Sequence, residues 1–127
     1  MRLLLDTHAL LWWFAGDEKL SPAAKRAIGR SSDTFVSAAS AWEIATKHRA
    51  GKLPGASAIV ADMSAAVAGE EFRELPISLR HGQIAGALPG PHRDPFDRML
   101  MAQAMVENLV LVSNERLFDA YGVARLW

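Results

Sequence analysis

The feature that most constrains this chain is a short apolar run near its start that ends in one carboxylate. Residues 2–8 read RLLLDTH, with Asp6 directly after three leucines. A short apolar run bounded by polar residues is typical of a strand that is buried on both faces of a parallel sheet. Because ligands of open α/β sheets bind beyond the carboxyl ends of the strands, the sequence places Asp6 where such a fold has its chemistry.

Composition excludes several classes of protein. The chain has 127 residues, half of them hydrophobic, which predicts a single domain over residues 1–127. Its 14 basic and 14 acidic residues cancel, so binding to nucleic acid requires a local patch or a bound metal. The absence of cysteine excludes disulfides, zinc–thiolate sites and thiol nucleophiles. No apolar stretch suits a signal peptide or a membrane span, so we expect a cytoplasmic protein without a membrane partner.

Strand and helix signals alternate along the chain with short connections. Beyond the first strand, strands are predicted at 34–37, 72–75, 109–112 and 123–127. Helices are predicted at 7–15, 22–30, 37–51, 56–69, 78–87 and 95–107, and Trp42 and Met105 are expected to pack in the core. This alternation favours an α/β/α sandwich with a mainly parallel central sheet.

Acidic residues recur where these predicted strands end. Asp6 ends the first strand, and Glu43 lies in the first turns of the helix after the second. Asp97 opens the helix that leads to the fourth strand, and Glu115 follows that strand. The carboxyl ends of parallel strands meet at one edge, so we expect these carboxylates to crowd together and to raise one another's pKa.

A divalent cation would relieve that repulsion. Oxygen donors without cysteine suit Mg²⁺ or Mn²⁺ better than zinc, and these ions activate water for phosphoryl chemistry. The hydroxyls of Thr7 and Ser113 are expected to orient the carboxylates or a water molecule. Phosphate contacts are expected from four basic residues, namely Lys47, Arg49, Arg93 and Arg98.

Several of these residues also have a purely structural interpretation. Glu43 suits the helix dipole and stands four residues before Lys47, with which it can pair. Asp94 and Asp97 occupy the first and fourth positions of a pattern close to a capping box. The basic residues at 47–52 are equally typical of a solvated helix end.

The order and spacing of these motifs resemble the PIN domain, and within it the VapC-type toxins of toxin–antitoxin pairs. The segments that carry the resemblance are LLDTH at 4–8, SAWEI at 40–44, HRDPFDRMLMAQA at 92–104 and LVSNE at 111–115. The resemblance implies a metal-dependent endoribonuclease that forms a homodimer and is inhibited by a VapB-like antitoxin peptide laid across its active groove.

The resemblance also assigns roles to the acids. Asp6, Glu43 and Asp97 match the family's first three acids and are the expected metal ligands. The third motif also contains Asp94, and we prefer Asp97 as the ligand and Asp94 as the helix cap because Asp97 lies inside the helix. The family's fourth acid is commonly Asp, whereas this chain has Glu115. Its extra methylene indicates a supporting or water-mediated part in catalysis.

Other functions can be weighed on the same residues. A phosphoryl-receiver domain needs an acid after a middle strand and a lysine after a late one, and neither is present. A haloacid-dehalogenase-type phosphatase needs a second aspartate where His8 stands. A catalytically degenerate PIN-like protein-binding module remains the alternative function, although the four acids argue against it. If the substrate is unpaired RNA, Trp12, Trp13 or Trp42 are the aromatic side chains available for stacking.

Overall fold

The computed structural model describes all residues from Met1 to Trp127 and has one central sheet between two layers of helices. Its strands are β1 (Arg2–Leu5), β2 (Asp33–Ser37), β3 (Arg73–Leu75), β4 (Val110–Val112) and β5 (Arg125–Leu126). They lie in the order β3-β2-β1-β4-β5, and every neighbouring pair is parallel. The predicted α/β/α sandwich with a parallel sheet is therefore confirmed.

The helices follow the predicted pattern, with one exception. They are α1 (Thr7–Ala15), α2 (Pro22–Arg30), α3 (Ala38–Arg49), α4 (Ser57–Ala61), α5 (Met63–Gly69), α6 (Leu79–Ala87) and α7 (Pro95–Glu107), with 3₁₀ turns at Pro54–Ala56 and Arg116–Tyr121. The single helix predicted over 56–69 is wrong, because Asp62 leaves the helical conformation and its side chain caps α5 by accepting a hydrogen bond from Ala65 N–H at 3.1 Å. None of the helices has the length and apolar character needed to cross a membrane.

Successive leucines of β1 supply both halves of the core. Leu3 and Leu5 face a cluster that includes residues of α1, α2 and α3, whereas Leu4 faces the layer that contains α7. All three leucines are completely buried. Burial of a leucine side chain stabilises a fold by roughly 1.5–3 kcal/mol, so both layers are fixed to the central strand.

Two core assignments made from the sequence are wrong. Trp42 is 62% exposed, because α3 turns Glu43 and Ile44 inward and leaves the indole outside against Phe96. Met105 is exposed as well. Gln103 is buried instead, and its amide oxygen accepts a hydrogen bond from Ser37 Oγ at 2.5 Å.

Candidate active site

A polar pocket of about 340 Å³ opens beyond the carboxyl ends of β1 and β4. The first turns of α1 and α7 and one face of α3 complete its walls. Its lining residues are Asp6, Thr7, His8, Trp12, Glu43, Lys47, Asp94, Asp97, Asn114 and Glu115. The structure thus brings the four predicted acids into one pocket, together with the supporting residue Thr7.

Asp6 occupies the floor of this pocket because it caps the helix that follows β1. Its carboxylate accepts a hydrogen bond from Ala9 N–H at 2.7 Å, and the residue is only 7% exposed. Burial raises the pKa of Asp6, while hydrogen bonds from Ser113 and Ala9 oppose that shift. The cap therefore fixes the direction of a carboxylate that is poorly solvated.

Glu43 is held from two sides on the inner face of α3. Thr7 Oγ1 donates a hydrogen bond to one carboxylate oxygen at 2.6 Å, and Lys47 Nζ lies 2.5 Å from the other. The hydrogen bond to Glu43 raises the pKa of Lys47. Glu43 therefore lines the pocket and also forms the predicted pair with Lys47.

Asp97 projects into the pocket from the first turn of α7. Its Oδ2 lies 2.9 Å from Nε2 of His92, which belongs to the loop before the helix. Burial raises the pKa of Asp97 to about 6, against the opposing hydrogen bond from His92. Asp94 caps α7 as predicted, since its Oδ1 accepts from the backbone N–H groups of Phe96 and Asp97 at 2.9 and 3.2 Å.

Glu115 is positioned by the turn that follows β4. Its side chain accepts a hydrogen bond from Leu117 N–H at 3.1 Å, and its own N–H donates to Ser113 Oγ at 3.0 Å. Ser113 is fully buried and also lowers the pKa of Asp6 through a hydrogen bond. The hydroxyl of Ser113 therefore links the ends of β1 and β4.

The four basic residues expected to contact phosphate have different environments. Lys47 lines the pocket, whereas Arg49 and Arg93 are exposed outside its lining. The guanidinium of Arg98 donates hydrogen bonds to four backbone carbonyls of the segments that flank the loop before α7, those of Ala85, Gly86, Leu88 and His92. Most of the Arg98 donors therefore hold the loop in this structure, and a phosphate contact of Arg98 stays a prediction.

The chemistry of the donor set fits a hard divalent cation. Five carboxylates and one lysine line the pocket, and no sulfur ligand is available. No three acidic or histidine side chains lie close enough together to form a ready-made metal cluster. Each acid is instead hydrogen-bonded to a backbone or side-chain group of the protein, so ion binding requires side-chain adjustment within an excess of negative charge.

The sequence interpretation gave no role to two residues of this site, His8 and His92, whereas Trp12 was already a candidate for stacking. His92 received no role, although it stands five residues before Asp97 in a loop rich in proline and glycine. His8 and Trp12 lie four residues apart on α1, where helical spacing places them on one face next to Asp6.

Comparisons with known proteins agree with this geometry. The chain matches the PIN domain family over residues 3–124. It is 30% identical to Ribonuclease VapC22 of Mycobacterium tuberculosis over 115 residues, which cover 90% of this chain and 87% of the relative.

Solved structures with the same fold include two toxin–antitoxin assemblies. VapBC2 from Rickettsia felis, bound to a DNA fragment from its promoter, superimposes with a TM-score of 0.73 at 14% identity, covering 99% of this chain and 98% of that one. A toxin–antitoxin complex from Klebsiella pneumoniae gives a TM-score of 0.70 at 20% identity, with coverage of 98% and 96%.

Proposed function

Because this chain belongs to the PIN domain family, we propose that it is an endoribonuclease that cleaves RNA phosphodiesters as the toxin of a toxin–antitoxin pair. The observation that carries this proposal is the gathering of five carboxylates from separate segments of the chain into one pocket. The ribonuclease name of the 30% identical relative supports the activity, and the toxin–antitoxin neighbours support the biological role.

We further propose that the nuclease depends on Mg²⁺ or Mn²⁺. Asp6, Glu43 and Asp97 would hold the ion, with Glu115 in a supporting position. A divalent cation at such a site lowers the pKa of a bound water and neutralises charge on the phosphodiester. The excess of carboxylates over cationic groups in the pocket supports this dependence.

The protein's own side chains orient the acids and receive the substrate. Thr7 keeps one Glu43 oxygen fixed, and the Ala9 N–H fixes one oxygen of Asp6. Lys47 is the cation nearest to the acids, so it is the first contact expected for a phosphate oxygen. Arg49 and Arg93 are exposed and would contact phosphates further along the RNA strand.

Cleavage of a single-stranded RNA with and without a chelator tests the activity. We expect products with Mg²⁺ or Mn²⁺, none with EDTA, and a loss of at least 100-fold in Asp6→Asn, Glu43→Gln and Asp97→Asn. Circular dichroism of each variant establishes that the fold is intact, and Leu79→Ala serves as the exposed control. Wild-type protein that binds a partner but cleaves no RNA with any divalent ion would favour the protein-binding module.

We propose a VapB-like antitoxin and a second copy of this chain as protein partners. Growth of cells that express the chain with and without the small protein encoded beside its gene tests the antitoxin. We expect toxicity that the small protein suppresses and that Asp6→Asn removes. Light scattering of the purified chain at several concentrations tests the homodimer, and a constant monomer mass would contradict it.

A further inference from the structure

A line of three aromatic rings begins in the acidic pocket, and we call it the aromatic ladder. His8 and Trp12 have ring centroids 5.5 Å apart with an interplanar angle of 32°. Trp12 and Trp127 follow at 5.8 Å and 59°. His8 is exposed, whereas Trp12 and Trp127 are half-buried and pack against the core beneath α1. The outermost ring of the ladder is therefore open to solvent and the inner two are fixed.

The ladder is rigidly placed relative to the acids. His8 and Trp12 are four residues apart on α1, and Asp6 caps the same helix through its 2.7 Å bond with Ala9. Both rings line the pocket, in which Trp12 is the only hydrophobic residue. An aromatic surface thus lies in the same pocket as the carboxylates. It belongs to α1, the helix that Asp6 caps.

The negative charge of the pocket makes a binding contribution that does not depend on charge valuable for holding RNA. The pocket carries five carboxylates and one lysine, and the whole chain has no net positive charge. Phosphate groups are therefore repelled from the pocket unless cations offset the acids, and the nearby Arg98 is engaged with backbone carbonyls. Stacking of a nucleobase on an aromatic ring contributes affinity that does not depend on charge.

We propose that the aromatic ladder is a nucleobase-binding site, in which the base next to the scissile phosphate stacks on the exposed ring of His8. Trp12 supports that ring, and Trp127 packs against Trp12. This inference rests on the proposed ribonuclease function. A base in a duplex has its faces covered by neighbouring pairs, so the site takes an unpaired base.

The test compares removal of the ring with removal of the base. The cleavage position in a short single-stranded RNA is mapped with Mg²⁺, and each nucleotide that flanks it is then replaced by an abasic one. At one flank we expect the abasic substitution to raise KM for the wild type by roughly five- to a hundredfold. We expect His8→Ala to raise KM similarly, with little further effect when ring and base are removed together.

Three variants make the result specific. His8→Phe keeps a flat ring without a charge and is expected to retain the wild-type KM. Trp12→Leu removes the support and is expected to raise KM. Leu79→Ala, at an exposed side chain outside the pocket, is expected to leave KM unchanged. Quenching of 2-aminopurine at the stacked position in the wild type, lost in His8→Ala, reports the stacking independently of turnover.

The outcomes separate this proposal from the function on which it rests. If the KM increases caused by His8→Ala and by the abasic nucleotide multiply when the two are combined, the ladder is not the base site. The proposal is also overturned if neither change raises KM while cleavage continues. An equal loss in His8→Ala and His8→Phe would instead assign a polar contact to His8 and also overturn it. Absence of RNA cleavage by the wild type would contradict the ribonuclease itself.

Discussion

At the scale of single residues, three of the five acids that line the pocket also cap helical turns. Asp6 caps α1, Asp94 caps α7, and Glu115 caps the 3₁₀ turn after β4. A capping hydrogen bond fixes a carboxylate that would otherwise rotate freely, and it lowers the cost of burying the charge. The same caps hold these three side chains beside Glu43 and Asp97, which is why their structural and functional interpretations are compatible.

The raised pKa of Asp97 predicts how stability depends on pH. Its folded-state pKa of about 6 exceeds the ordinary value of 3.8, so the folded protein retains a proton that the unfolded chain has lost. The contribution of this proton to the free energy of unfolding is fully present below pH 4 and is lost as pH rises through 6. The loss amounts to about 2 kcal/mol. In urea unfolding without metal, the free energy of unfolding of Asp97→Asn should therefore increase relative to that of the wild type between pH 4 and pH 7. An unchanged difference over that range would contradict the shift.

Lys47 is expected to compete with a metal ion for Glu43. Its ammonium lies 2.5 Å from the carboxylate, so binding of a cation there must displace or weaken this pair. Lys47→Met should therefore bind Mn²⁺ roughly fivefold more tightly in calorimetric titrations, while its RNA cleavage falls because a phosphate contact is lost. Lys52→Met, at an exposed position, is the matched control. Weaker Mn²⁺ binding in Lys47→Met would show that the lysine supports the ion.

At the scale of elements, apolar runs and caps predicted most of the fold. The bounds predicted for α1, α2 and α7 are correct, and Ser21 and Asp94 give clear start signals for the last two. The prediction failed where local pattern does not decide the outcome. Asp62 interrupts an alanine-rich stretch that otherwise favours one helix, and the direction of Trp42 depends on which face of α3 meets the sheet.

The candidate site could be predicted from the sequence to about the same extent as the fold. Strand ends and topology place the acids at one edge, but hydrogen-bond partners depend on contacts between distant segments. The pairing of Asp97 with His92 and the use of Arg98 to hold the neighbouring loop are of this kind. No local pattern distinguishes an arginine that binds phosphate from one that binds carbonyls, since both present the same donors.

The loop before α7 offers a test of how one element supports the site. Gly90 has a φ of +88°, and a Cβ placed there would lie 2.7 Å from Tyr121 Oη. That same hydroxyl accepts the backbone N–H of His92 at 3.2 Å. Gly90→Ala should therefore destabilise the protein by about 1–2 kcal/mol in urea unfolding and shift His92 away from Asp97.

Gly82→Ala provides the matched control for this substitution. Gly82 lies inside α6, and no atom is within 4 Å of the added Cβ. Alanine has a higher helix propensity than glycine, so the free energy of unfolding of this variant should increase by about 0.5–1 kcal/mol. Equal effects of the two substitutions would show that the loop does not require glycine at position 90.

At the scale of the whole molecule, the strand order explains how a site is formed from distant segments. β1 lies at the centre, with β2 on one side and β4 on the other. The chain continues from these strands into α1, α3 and the turn at 113–115, so Asp6, Glu43 and Glu115 meet at one edge. Asp97 comes from the helix layer on the opposite face of the sheet, which makes the pocket a junction of both layers.

This junction predicts that a bound metal stabilises the entire fold. The pocket brings together carboxylates from the starts of α1 and α7, from α3 and from the segment after β4. These acids repel one another, and can share one ion, only while the chain is folded. An ion at 100 times its Kd adds about 2.7 kcal/mol, which for a domain of this size raises Tm by about 10 °C.

Calorimetric scans with Mn²⁺ and with EDTA measure this gain. The Tm of the wild type should rise with Mn²⁺ concentration and return to its starting value with EDTA. Asp6→Asn and Glu43→Gln should lose most of the increase, while Asp119→Asn, an exposed acid outside the pocket, should keep it. A rise of the same size in all four proteins would assign the effect to general screening of charge, and the acids would then have no shared ion to hold.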